Sequence, residues 1–86
     1  MELERRIQAL IAVGAAVSAN CQPCLQSAVA LAAESGASER EIAEAIEVGK
    51  RIRRGAASKM DRFAFELHSA VPTPAPAETG CGCNLS

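Results

Sequence analysis

Between Leu3 and Leu67 the apolar residues return every three or four places, and no stretch shows the strict alternation of a strand. That period belongs to the amphipathic helix, so the chain is predicted to be all-α. Leu3, Ile7, Leu10, Ile11, Gly14 and Val17 mark a first helix ending near Ala19. Asn20 is placed as the N-cap of a second helix, with Pro23 in the first turn, where a missing N–H costs little, and Leu25, Val29 and Ala32 as its buried line. Gly36 stops it. Ser38 followed by Glu41 has the form of a capping box, after which Ile42, Ala45, Ile46, Gly49 and Ile52 continue as a third stripe. Gly55 is read as the end of that helix, with a fourth starting near Ser58 and carrying Met60, Phe63, Ala64 and Leu67. Residues 1–70 are therefore expected to form one small bundle of about four helices.

From Val71 the sequence turns to Val-Pro-Thr-Pro-Ala-Pro-Ala-Glu-Thr-Gly, which cannot be helical and is expected to be extended and disordered. Segment 71–86 reads as a tether that carries Cys81-Gly82-Cys83, and about ten such residues span about 30 Å. The Ala-rich body has no Trp or Tyr and only Phe63 and Phe65 as aromatics, so it buries little apolar area by itself. Association with further copies of the chain is expected on that ground.

Nine Lys and Arg nearly balance ten Asp and Glu. No overall basic field is left to hold phosphates or an anionic lipid surface, so nucleic acid and membrane are not expected as partners. The one basic run, Lys50, Arg51, Arg53 and Arg54, follows Glu39, Glu41, Glu44 and Glu47 on the third helix and is read as a base-rich helix end that complements the dipole. Arg5 and Arg6 before an Ala- and Ile-rich stretch imitate a secretory leader, but Glu2, Glu4 and Gln8 break the pattern. No apolar run approaches the roughly 18 residues of a membrane span, and a cytoplasmic location is expected.

The four cysteines come as two tight pairs, Cys21 with Cys24 and Cys81 with Cys83. Pairs so close staple nothing distant, so chemistry or metal binding explains them better than structure. Cys21-Gln22-Pro23-Cys24 at a helix start places both sulfurs within one turn, beside unpaired N–H groups that stabilise thiolate. An oxidised first sulfur is then resolved by its neighbour. A closed zinc site needs four ligands, whereas the body offers Cys21, Cys24 and His68 besides acids. The alternative to redox is a soft site in which Cys21, Cys24, Cys81 and Cys83 close around Zn(II), Cu(I) or arsenite. Cys81 and Cys83 can pair only in a small ring that exchanges readily, which makes them a candidate electron relay to the first pair.

The run from Ala16 to Ala57 holds Ala-Asn-Cys-Gln-Pro-Cys-Leu, then Gly36-Ala37-Ser38, Glu41-Ile42-Ala43-Glu44-Ala45 and Gly55-Ala56-Ala57. It resembles the core of the alkylhydroperoxidase D and carboxymuconolactone decarboxylase family. The resemblance implies an all-helical subunit that assembles into trimers or hexamers. It also implies a thiol-dependent peroxidase or thiol–disulfide protein acting on a hydroperoxide or disulfide, with an external dithiol reductant and no organic cofactor. By that analogy Cys24 attacks and Cys21 resolves, whereas helix-dipole reasoning favours Cys21 as the thiolate, so the roles stay open. Two positions depart from the family pattern. A histidine one turn after the second cysteine is Ala28 here, and a glutamate about twelve residues before the first is Ala9. A missing general acid or base costs on the order of 100-fold, and His68 is the candidate substitute donor. No grouping of His, Arg and Asp suits decarboxylation.

Overall fold

The computed structural model describes residues 2–70, so Met1 and the segment 71–86 with Cys81 and Cys83 lie outside the described residues. Among these there are three α-helices and no strand: α1 (Arg5–Ser18), α2 (Gln22–Glu34) and α3 (Glu39–Ala70). The central helix is α1, which packs along both others, while α2 and α3 touch only slightly. The fully buried face of α1 is Ala9, Val13, Ala16 and Val17. Ala9 and Val13 form the core with Ala28 and Ala32 of α2. The line expected from the sequence is displaced by part of a turn: Leu10 packs against the core only partly, while Leu3 and Ile11 are exposed. Mostly small side chains fill the α1–α2 contact, while Ile7, Leu10 and Ile11 line the α1–α3 groove.

Two helix ends are closed by the same backbone device. Asn20 stands at φ 57°, with its N–H donated to the Val17 carbonyl at 3.1 Å and that of Cys21 to Ala16 at 3.0 Å. Gly36 at φ 95° repeats this, with Gly36 donating to Ala33 at 3.2 Å and Ala37 to Ala32 at 3.0 Å. These paired bonds around a left-handed residue satisfy the last carbonyls of α1 and α2. Asn20 is therefore not an N-cap as expected; it ends α1, and Cys21 caps α2. Asn ranks next to Gly in the left-handed region, and here that tolerance prevails over its capping preference.

The capping box at the start of α3 forms as expected. Glu41 N–H donates to Ser38 Oγ at 3.0 Å, and Ser38 N–H donates to the Glu41 carboxylate at 3.1 Å. Arg6 of α1 adds a charged bond to the same carboxylate at 2.7 Å, tying α1 to α3. The Ser38 N–H, and after it the Arg6 charge, hold the Glu41 carboxyl below its ordinary value. A depressed carboxyl pKa contributes stability that is present above the unfolded-state value and lost as pH falls through the folded one. Melting temperatures across the carboxylate range are expected to fall less steeply for Glu41→Gln than for the wild type.

Gly55 does not end a helix. The predicted third and fourth helices are one element, because Arg53, Arg54, Ala56 and Ala57 around Gly55 are strong helix formers and no proline or left-handed residue interrupts them. A Cβ at Gly55 would meet nothing within 4 Å. Gly55→Ala is therefore expected to stabilise the protein by about 0.5–1 kcal/mol in denaturant titration. Continuity also revises the reading of the basic run: Lys50 to Arg54 lie in mid-helix, so they do not serve as a helix end. At about 1.5 Å per residue α3 is roughly 48 Å long, more than twice α1, and its second half extends beyond the other helices.

Candidate functional site

The cysteine pair sits where α1 hands over to α2. Cys21 is the last residue before α2, extended at φ −105° and ψ 99°, and Cys24 follows in the first turn after Pro23. Their sulfurs are joined as a disulfide across a Cα separation of 5.2 Å. Cys21 is half-buried and Cys24 exposed. The first turn of α2 carries no acidic residue and its N-cap makes no side-chain hydrogen bond. Both cysteines therefore sit at the positive end of α2, whose first N–H groups no side chain caps.

Beside Cys21 opens a cavity of about 260 Å³. Val17, Leu25 and Ile46 give it aliphatic walls, and Asn20, Lys50 and Arg53 give it a polar side. Arg53 reaches across from α3 to the α1–α2 joint, where its Nη1 donates to the Val17 carbonyl at 3.3 Å and to Asn20 Oδ1 at 3.1 Å. A guanidinium thus closes the end of α1 and stands next to the residue that precedes Cys21. Lys50, one turn earlier, is paired with Glu47 at 3.3 Å on the exposed flank of α3.

The two expected relay positions lie inside the core. Ala9 and Ala28 are both buried and belong to one apolar cluster, so neither place holds a group able to move a proton. His68 is exposed in the last turn of α3, fifteen residues beyond Arg53 and hence about 22 Å farther along the same helix axis. The subunit does not bring His68 to Cys21. No group of three or more His, Cys, Asp or Glu is gathered among the described residues. A four-thiolate metal site would need Cys81 and Cys83 from outside them. Among the described residues no helix is long and apolar enough to cross a membrane.

Lys50 and Arg53 were missed as site residues by sequence reasoning. Their signal was present: α3 carries no acid between Glu47 and Asp61, and these two cations flank the stripe through Ile46 and Gly49 that faces α1. Only the fold joins that face to Asn20, more than thirty positions earlier in the chain.

No curated protein and no solved structure matches this chain. The model of the carboxymuconolactone decarboxylase family does match, over residues 2–65, which spans α1, α2, the cysteine pair and most of α3. The chain belongs to the carboxymuconolactone decarboxylase family.

Proposed function

We propose that the protein is a thiol–disulfide oxidoreductase that cycles Cys21 and Cys24 between dithiol and disulfide, oxidised by a small disulfide or hydroperoxide and reduced by an external dithiol. The observation that carries this reading is a half-buried cysteine beside an open cavity, disulfide-bonded to a second cysteine in the first turn of a helix whose N-cap makes no side-chain hydrogen bond. With a disulfide, one thiolate attacks a substrate sulfur and expels a thiolate, and the second then displaces the substrate's other half. With a hydroperoxide, the attacked oxygen goes to sulfur as sulfenic acid and the alcohol leaves, after which the second thiol closes the disulfide and releases water. The alcohol's proton comes from solvent, since Ala9 and Ala28 hold no donor. Disulfide exchange, which needs no such donor, is therefore the faster of the two.

The test is a full-length protein with Cys81→Ser and Cys83→Ser, reduced and mixed with bis(2-hydroxyethyl) disulfide or cumene hydroperoxide. Loss of two titratable thiols per chain, faster with the disulfide, is the expected result. Thiols that persist in both reagents sink the proposal.

The same reading includes self-association and the tail. Ile52, Met60, Phe63 and Leu67 are exposed at helical spacing on α3, in line with an apolar groove of about 460 Å³ between α1 and α3. A second copy is proposed to cover this stripe, in a trimer or hexamer. The Cys81 and Cys83 pair is proposed as an electron relay, so truncation at Val71 should slow multiple turnover while sparing the first oxidation.

A further inference from the structure

We propose that the cavity beside Cys21 recognises a small carboxylate-bearing disulfide, with the carboxylate on Arg53 and Lys50 and one substrate sulfur against Cys21. The inference rests on the thiol–disulfide reading above and names its substrate class.

Charge is the first argument. No charged residue lies between Arg6 and Glu34, so α2's first turns and the second half of α1 offer nothing to neutralise the cations facing them. On α3, Lys50, Arg51, Arg53, Arg54 and Lys59 meet no acid between Glu47 and Asp61, and Glu47 is engaged with Lys50 on the exposed flank. The cavity's charged side is thus cationic: Lys50 is shared with Glu47, and Arg53 has no acidic partner among the described residues.

Geometry is the second. Arg53 spends only Nη1 on the protein, on Val17 and Asn20, which fixes the guanidinium at the joint. Nη2 and Nε make no hydrogen bond to the described residues, and these two nitrogens are one of the edges by which arginine holds a carboxylate with parallel bonds. The cavity that Arg53 and Cys21 both line has Val17, Leu25 and Ile46 as its apolar walls, which suit a short aliphatic stem. A cavity of about 260 Å³ lies below the roughly 300 Å³ at which drug-sized ligands begin, so a molecule of few atoms is indicated. Cys21 lines the cavity, while exposed Cys24 is not among its lining residues.

The reaction follows. Cys21 thiolate attacks the near sulfur of R–S–S–R, forming the Cys21–S–R bond and expelling RS⁻, which takes a proton from water. Cys24 thiolate then attacks Cys21 Sγ, closing Cys21–Cys24 and releasing the second RS⁻. The protein dithiol loses two electrons and the substrate disulfide gains them.

The test uses full-length protein with Cys81→Ser and Cys83→Ser, reduced, at low salt and neutral pH. Three probes share the same two-carbon stem: 3,3′-dithiodipropionate, bis(2-hydroxyethyl) disulfide and cystamine, with each rate divided by that probe's rate with dithiothreitol to remove intrinsic reactivity. The anionic probe should exceed the neutral one by on the order of tenfold, with the cationic one slowest. Lys50→Gln, which gives up only an exposed pair, and Arg53→Gln should each lower the ratio, and Arg53→Lys should keep part of it. The preference should persist in Cys24→Ser, where Cys21 acts alone, and be weaker in Cys21→Ser. Equal normalised rates, or a preference that survives the Lys50→Gln and Arg53→Gln double variant, overturn the proposal while leaving the oxidoreductase reading intact. If no probe oxidises the pair, both fall.

Discussion

In protein carrying Cys81→Ser and Cys83→Ser, Cys21→Ser and Cys24→Ser each reduce turnover with a small disulfide and a dithiol reductant by at least about 100-fold, and the double variant is no worse than either single one. The lone sulfur left in each variant still attacks, so a mixed disulfide accumulates and is visible by mass. Resolution fails because the partner sulfur, which in the wild type sits across a Cα separation of 5.2 Å, is gone. Release then waits for a bimolecular encounter with external thiol, and the advantage of an intramolecular step is lost. Two residues that act as one unit give non-additive losses, and that equality of single and double variants is the signature to look for. A single variant that retains more than about a tenth of wild-type turnover would falsify the paired-thiol mechanism.

The second large effect is structural. Gly49→Ala is expected to destabilise the protein by about 2 kcal/mol and to lower its melting temperature by about 10 °C, the opposite of the gain at Gly55. In both places alanine gains about 1 kcal/mol of helix propensity. At Gly49, however, the new Cβ would stand 2.5 Å from the Gly14 carbonyl oxygen and 2.8 Å from the Val17 Cβ. A backbone oxygen cannot swing aside as a side-chain tip does, so α1 and α3 must separate, and overpacking of this kind costs on the order of 3 kcal/mol. Packing wins over propensity. Arg53, one turn beyond Gly49, would be drawn from Asn20 by the same separation, so the cavity should loosen with the fold. Thermal melts of Gly49→Ala and Gly55→Ala side by side provide the check, and equal shifts would show that the helix crossing is not the tight contact described.

Comparison of these glycines shows what the sequence could and could not reveal. The capping box at Ser38 and Glu41 was legible because every atom in it lies within four residues. The cysteine pair was legible for the same reason. Gly55 looks on paper like a helix stop, and Gly36 is one; the difference is that Gly36 sits at φ 95° where two further backbone bonds close the end. Asn20 has two local uses, cap or left-handed closer, and the choice depends on Cys21 being needed to begin α2 at once. Arg53 was illegible as a site residue because its partners Val17 and Asn20 lie 36 and 33 positions away. Its role follows from α1 lying across α3 at Gly14 and Gly49, a crossing that exists only in three dimensions.

Cys21 belongs to both of its neighbouring helices. Its N–H completes α1 by bonding to Ala16, and its carbonyl begins α2 by accepting from the Leu25 N–H at 3.0 Å. The joint therefore contains no spacer that could absorb a change in chain length. One residue inserted there would turn α2 by about 100° about its own axis, rotating Ala28 and Ala32 out of the core and the sulfur away from Arg53. Length variation among relatives that keep this chemistry should accordingly spare the stretch from Ala16 to Leu25 and collect elsewhere along the chain.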